Sequence, residues 1–228
     1  MIHYHGTPIT PRHKLLEMSG RHFCVSYARP EDLKTCLEIG QSVMLDNGAF
    51  SAFTRGKTLN IPKFYAWIEN NLIAPHWAVI PDVIGGTEDD QRKGLREWPF
   101  PDFLSAPVWH MNLSVDYLLE LADRYPKICI GSSGDFWHVG SRKWVQRMDE
   151  AFNELSKRRF LPWIHGMRML SQSDKRWPFA SADSTNVAQS HSPSRGKPKI
   201  SPEVLAHRID AVQSPKRYIP NPQVDLWT

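Results

Sequence analysis

Cysteine is scarce and poorly placed for a structural role. The three residues Cys24, Cys36 and Cys129 are odd in number, far apart and each set among apolar neighbours. Neither a disulfide framework nor a Cys-rich zinc site is expected of them, and buried reduced thiols are. Long apolar runs are also missing: nothing approaches the roughly 20 residues that cross a bilayer. The N-terminal Met1-Ile2-His3-Tyr4-His5-Gly6 has no signal-peptide stretch, so the expectation is a cytoplasmic protein without a membrane partner. No Gly-x-Gly-x-x-Gly follows the first strand, which argues against dinucleotide binding, and there is no P-loop. Internal repeats and long low-complexity segments are lacking. With 41% hydrophobic and 23% charged residues, the composition excludes a disordered chain.

What is present fits one domain over residues 1–228, at the small end for a (β/α)8 barrel. The net charge of +4 hides an asymmetry: residues 157–217 hold twelve Lys/Arg against four Asp/Glu, and the rest is acidic by four. Arg168, Lys175, Arg176, Arg195, Lys197 and Lys199 are therefore candidates for nucleic-acid backbone contacts, with a solvated basic face as the plainer alternative.

Short β-branched or aromatic runs alternate with helical stretches, the pattern of parallel strands joined by crossover helices. Eight strands are predicted: Ile2–His5, Phe23–Tyr27, Val43–Asp46, Trp77–Asp82, Pro107–His110, Ile128–Ser132, Trp163–Gly166 and Phe179–Asp183. Helices are predicted near 11–19, 30–39, 61–72, 87–97, 114–125, 141–159, 170–176 and 202–213. In the helix at 141–159, Trp144, Val145, Met148, Phe152 and Leu155 form an apolar stripe that leaves Arg142, Lys143, Arg147, Glu150 and Lys157 to water. Eight such units fit a compact α/β chain of the (β/α)8 TIM-barrel type better than an open doubly wound sheet. Ser190–Lys199 reads as a polar loop and the Pro-rich tail from Pro215 as irregular chain.

In a parallel barrel the C-terminal strand ends share one face, so a polar residue closing an apolar strand points at a common cavity. Six predicted strands close that way: Asp46-Asn47-Gly48, Pro81-Asp82, Trp109-His110, Gly131-Ser132-Ser133, His165-Gly166-Met167-Arg168 and Ser181-Ala182-Asp183-Ser184. An Asp before Asn-Gly is a turn signal first. Six such closures together, three of them carboxylates, describe a cavity able to hydrogen-bond a planar heterocycle and act on a carbon beside it.

Over residues 43–187 these segments resemble the tRNA-guanine transglycosylase superfamily, (β/α)8 barrels that exchange guanine for a 7-deazaguanine in nucleic acid. Leu45-Asp46-Asn47-Gly48-Ala49-Phe50-Ser51 resembles the family's Asp-Ser-Gly-Gly-Phe/Tyr-Gln motif. The match implies that Asp46 contacts the base and relays protons while the Phe50 ring stacks on it. Asp82 resembles the Asp that binds the incoming base, and Gly131-Ser132-Ser133 the segment whose backbone reads the base edge. His165-Gly166-Met167 resembles the segment whose Met covers the base, and Asp183 stands where the family has its nucleophile. His110 departs from the family, falling where a base-binding Gln is common. The Cys-x-Cys-x-x-Cys…His zinc site of the tRNA enzymes has no counterpart here, and Asp183-Ser184-Thr185-Asn186 departs from the usual residues after the nucleophile. A chain without the C-terminal zinc subdomain is closer to the phage and bacterial 7-deazaguanine DNA transglycosylases.

The resemblance implies a covalent Asp183-glycosyl intermediate, no cofactor and no metal. The partners are DNA or tRNA and a free 7-deazapurine, with room for an accessory protein or a homodimer. Trp109, Trp137 and Trp177 are candidate stacking residues, although core packing is the plainer reading of a tryptophan. Two rivals stand beside this reading. One is a metal-dependent hydrolase of the amidohydrolase kind using His3, His5, His110, His165 and Asp183. The other is a non-catalytic nucleic-acid-binding barrel.

Overall fold

The structure is a computed structural model that describes residues 1–191 and 200–220. Nine strands alternate with helices along it. β1 (Ile2–Gly6), β2 (His22–Ser26), α1 (Leu33–Ile39), β3 (Ser42–Asp46), α2 (Ala49–Thr54), α3 (Ile61–Glu69), β4 (Trp77–Val79) and α4 (Glu88–Glu97) make the first half. The second half holds β5 (Ser105–Ala106), β6 (Val108–His110), α5 (Val115–Arg124), β7 (Lys127–Gly131), α6 (Arg142–Ser156), β8 (Trp163–Gly166), β9 (Ser181–Ser184), α7 (Asn186–Ser190) and α8 (Pro202–Asp210). Helix starts are fixed chemically. Thr87 and Asp90 form a reciprocal capping box on α4, and Ser114, Ser141 and Ser201 accept from backbone N–H groups three residues on.

The strands form one parallel sheet in the order β5-β4-β3-β2-β1-β9-β8-β7-β6. Its two edges, β5 and β6, are consecutive pieces of a single segment separated only by Pro107. Proline has no N–H to donate and interrupts the ladder there, so β5 pairs with β4 and β6 with β7. Pro107 itself accepts from the Cys129 N–H at 2.9 Å. The sheet is thus a nearly closed parallel barrel, compatible with a TIM-like barrel.

Several expectations change in detail. The segments expected as helices at 11–19 and 170–176 are 3-10 turns, Arg12–Met18 and Leu170–Gln172, and the last strand is Ser181–Ser184. The short helices α2 and α7 were not predicted. Within α6 the apolar stripe packs inward, but Arg147 does not face water as expected. Its guanidinium bonds the carbonyls of Met111 and Leu113 and lies over the Trp109 ring.

Two cores result. One fills the space between sheet and helices; the other, with Tyr4, Met44, Trp77, Val79, Ala106, Val108 and Cys129, fills the barrel interior. At the end where the strands begin, rings and hydroxyls interlock. Trp77 Nε1 donates to the Tyr4 hydroxyl at 2.8 Å, which lies 3.1 Å from Ser42 Oγ. The Lys127 ammonium sits 5.2 Å and 5.3 Å from the Trp77 and Trp163 rings. No helix among the described residues is long and apolar enough to cross a membrane.

Candidate active site at the barrel mouth

Strand alternation decides which side chains meet. Register pairs Ser26 with Asp46, His110 with Gly131, Cys129 with His165, and Tyr4 with Asp183, all in the inward row that also holds Met44 and Trp77. Asp46 closes β3, His110 closes β6, and Asp82 follows β4 by three residues. All of these close on the end of the barrel where the strands finish, its mouth.

Asp183 is 9% exposed and held from two sides. Its Oδ1 accepts from the Arg168 backbone N–H at 2.8 Å and lies 3.3 Å from His165 Nε2. His165 is itself fixed: Trp163 Nε1 donates to Ser181 Oγ at 2.7 Å, and that hydroxyl lies 2.8 Å from His165 Nδ1. The chain assigns the tautomer. The hydroxyl, already accepting from the indole, donates to Nδ1, which leaves the proton on Nε2 to face the carboxylate. Arg168 presents its N–H from a left-handed conformation, φ 57°, that only glycine, asparagine and aspartate adopt readily.

Asp46 is pushed up to about 6, chiefly by burial; the Ser26 hydroxyl opposes this, the negative charges of Asp183 and Asp82 add to it, and the Gly48 N–H at 3.2 Å also opposes it. Asp82 receives the Asn47 amide at 2.7 Å on Oδ1. His110 Nε2 is 2.8 Å from Asp82 Oδ2 but off the line of a hydrogen bond, so among the described residues this buried nitrogen has no hydrogen-bond partner. Three carboxylates thus share one mouth with different surroundings.

Above them lies a stack. The Arg168 guanidinium lies over the Phe50 ring of α2, 4.1 Å from the ring centroid, and the ring stacks with Trp137 at 5.5 Å and an interplanar angle of 28°. Phe50 comes from the segment after β3, whereas Trp137 and Arg168 come from those after β7 and β8, on the opposite wall.

The remaining predicted residues separate clearly. Gly131 faces inward beside His110, and partly buried Met167 packs on the interior core. The side chain of Ser132 is committed to the Trp144 indole at 2.9 Å, and that of Ser133 to Asn112. His3 and His5 lie on the outer face of β1 against α8, where His5 Nε2 is 3.0 Å from Asp210 Oδ1. They do not meet His110, His165 and Asp183, and no group of three or more His, Cys, Asp or Glu among the described residues is placed to hold a metal ion. Arg176 is paired with buried Asp149 of α6 and Lys175 with Asp174, so of the described basic candidates only Arg168 is without a carboxylate partner. Arg195, Lys197 and Lys199 lie outside the described residues. Trp109 and Trp177 are core residues, whereas Trp137 is 50% exposed. A surface groove of about 580 Å3 between α3 and residues 99–104 lies on the flank, away from the acids.

Three contributors escaped the sequence reading. Ser26 is an unremarkable serine until register sets it against Asp46. Asn47 reads as a turn residue yet braces Asp82. The backbone N–H of Arg168 carries no signal in the residue's identity. Comparison with protein-family models, with curated proteins and with solved structures found no match in any of the three.

Proposed function

We propose that this chain is a (β/α)8-barrel transglycosylase that exchanges guanine for a 7-deazaguanine base in nucleic acid, DNA ahead of tRNA, through a covalent Asp183-glycosyl intermediate. The observation that carries the reading is the convergence of Asp46, Asp82 and Asp183 at one mouth, with Asp46 raised to about 6 and Asp183 fixed by His165 and the Arg168 N–H. Two carboxyls whose environments differ divide into proton donor and nucleophile. Asp183 Oδ2 has no partner among the described residues, which leaves it open to attack C1′ of the target nucleotide. Asp46, protonated near neutral pH more often than an ordinary carboxyl, supplies the proton that the departing purine needs.

The second base is held at its edge by Asp82, His110 and the Gly131 backbone, loses its proton to Asp46 and attacks C1′ from the opposite side. Two inversions give retention, and one N-glycosidic bond replaces another without energy input. A stacked base cannot reach this mouth, so the target nucleotide is flipped out or single-stranded.

Incubation with DNA or tRNA and labelled guanine or 7-deazaguanine tests the reading. Label entering one polymer, and lost in Asp183→Ala, is the expected result. Failure of label to enter either polymer sinks the exchange; undiminished exchange in the variant removes Asp183 as nucleophile.

A further inference from the structure

The stack at the mouth has a geometry that base exchange alone does not require. Phe50 meets a guanidinium lying over its ring and an indole stacked against it, both from the opposite wall of the barrel, so the ring that would support a base is already occupied. The residue occupying it is also the one whose N–H positions Asp183. Among the described residues the Arg168 guanidinium has no carboxylate partner, and the residue is exposed.

Further unpaired cations stand on the same end of the barrel. Exposed Arg55 and Lys57 directly follow α2, and exposed Arg142 opens α6 five residues after Trp137; none has an ion-pair partner among the described residues. Each lies on a segment that follows a strand's C-terminal end, hence on the mouth face. Lys143, by contrast, is neutralised by Asp135.

From this arrangement we infer that Arg168, Phe50 and Trp137 form a cover over the acid pocket that the sugar-phosphate backbone of a nucleic acid strand opens by drawing the Arg168 guanidinium off the Phe50 ring. A cation held on an aromatic face is weakly bound compared with one on a phosphate, because the ring offers only its quadrupole while phosphate offers a full charge and two acceptor oxygens. The backbone therefore competes successfully for Arg168, with Arg55, Lys57 and Arg142 gathering the adjacent phosphates. With the guanidinium drawn away, Phe50 takes a planar base in its place. The pocket is thus dry and closed to a free purine until polymer is bound, and strand binding and base binding reinforce each other.

The inference rests on the proposed base exchange and has its own test. Binding of guanine or a 7-deazaguanine is measured by calorimetry on the full chain, with and without a hexamer of abasic nucleotides that supplies phosphates and no base. The abasic strand is expected to tighten purine binding about tenfold, the reciprocal of an open fraction near one tenth. Arg168→Gly keeps the left-handed backbone and the N–H on Asp183 while removing the guanidinium. It is expected to bind purine about tenfold more tightly without the strand and to lose the strand's effect; Arg168→Lys retains part of it. If wild type exchanges base but binds purine equally with and without the strand, or if Arg168→Gly binds purine no more tightly than wild type, the cover is overturned and the exchange stands. If no purine binds to any form and no exchange occurs, both fall.

Discussion

The two ends of the barrel interior are built on opposite principles. Where the strands begin, Tyr4, Ser42, Trp77, Trp163, Ser181 and Lys127 interlock so that hydroxyls and indole N–H groups find partners and the Lys127 ammonium lies over two rings. Where the strands finish, Asp46, Asp82 and Asp183 crowd one space, and burial and mutual repulsion raise Asp46. His165 joins the two, with one nitrogen on Ser181 and the other on Asp183. The satisfied end holds the fold; the crowded end keeps strain in a form that chemistry can release.

The contrast breaks first if the mouth is not chemical. Asp183→Ala is expected to lower base exchange at least about 1000-fold, the scale for losing a covalent nucleophile, while the chain stays folded at the assay temperature despite the donors left on His165 and Arg168. Loss of exchange that only follows unfolding would make Asp183 a structural residue. At the opposite end, Trp77→Ala should cost about 3–5 kcal/mol of stability in denaturant unfolding, from the lost volume of a buried indole. A cost under about 1 kcal/mol would show that the lower end is not what holds the barrel.

Arg176→Ala leaves buried Asp149 without its guanidinium and should cost about 2–3 kcal/mol while leaving nucleic-acid affinity nearly unchanged; a large affinity loss with intact stability would return this arginine to the binding surface. Asp46→Asn sharpens the comparison through pH. The folded pKa of Asp46 lies above the unfolded one, so the folded chain binds the extra proton. For this group, stability falls as pH rises from the ordinary carboxylate range to about 6 and stays reduced above it. The amide should therefore raise stability by about 1–2 kcal/mol at pH 7.5 and by little at pH 4, while exchange drops and loses its inflection near pH 6. A destabilised variant at pH 7.5 would contradict the strain. Lys175→Ala, on the flank and paired only with its exposed neighbour Asp174, should change stability by less than about 0.5 kcal/mol.

The comparison also explains what could be read from the chain beforehand. Polar residues closing apolar runs are a local pattern, so Asp46, Asp82, His110 and Asp183 were legible, and with them the parallel layout. What register creates was not: Ser26 opposite Asp46, or His3 and His5 turned to the outer face of β1 while Tyr4 between them turns in. Pro107 looked like the start of a strand, but the ladder continues on both sides of it, to different neighbours. Asp-Asn-Gly looked like a turn, which hid the six-residue helix α2 behind it. The excess of basic residues in the last quarter was visible as composition, yet charge counts carry no direction; Arg176 proved to be occupied by Asp149, and of the described candidates only Arg168 was left unpaired.

The place of β9 has a consequence for how the protein is made. It slots between β8 and β1, setting Asp183 beside Tyr4, so the last strand of the described sheet is the one that seats its first. A nascent chain carries Asp46 and Asp82 well before Asp183 is made, with no third acid to crowd them and no enclosed interior. Completion of the wall and arrival of Asp183 are one event, and a chain truncated before residue 181 would lack both.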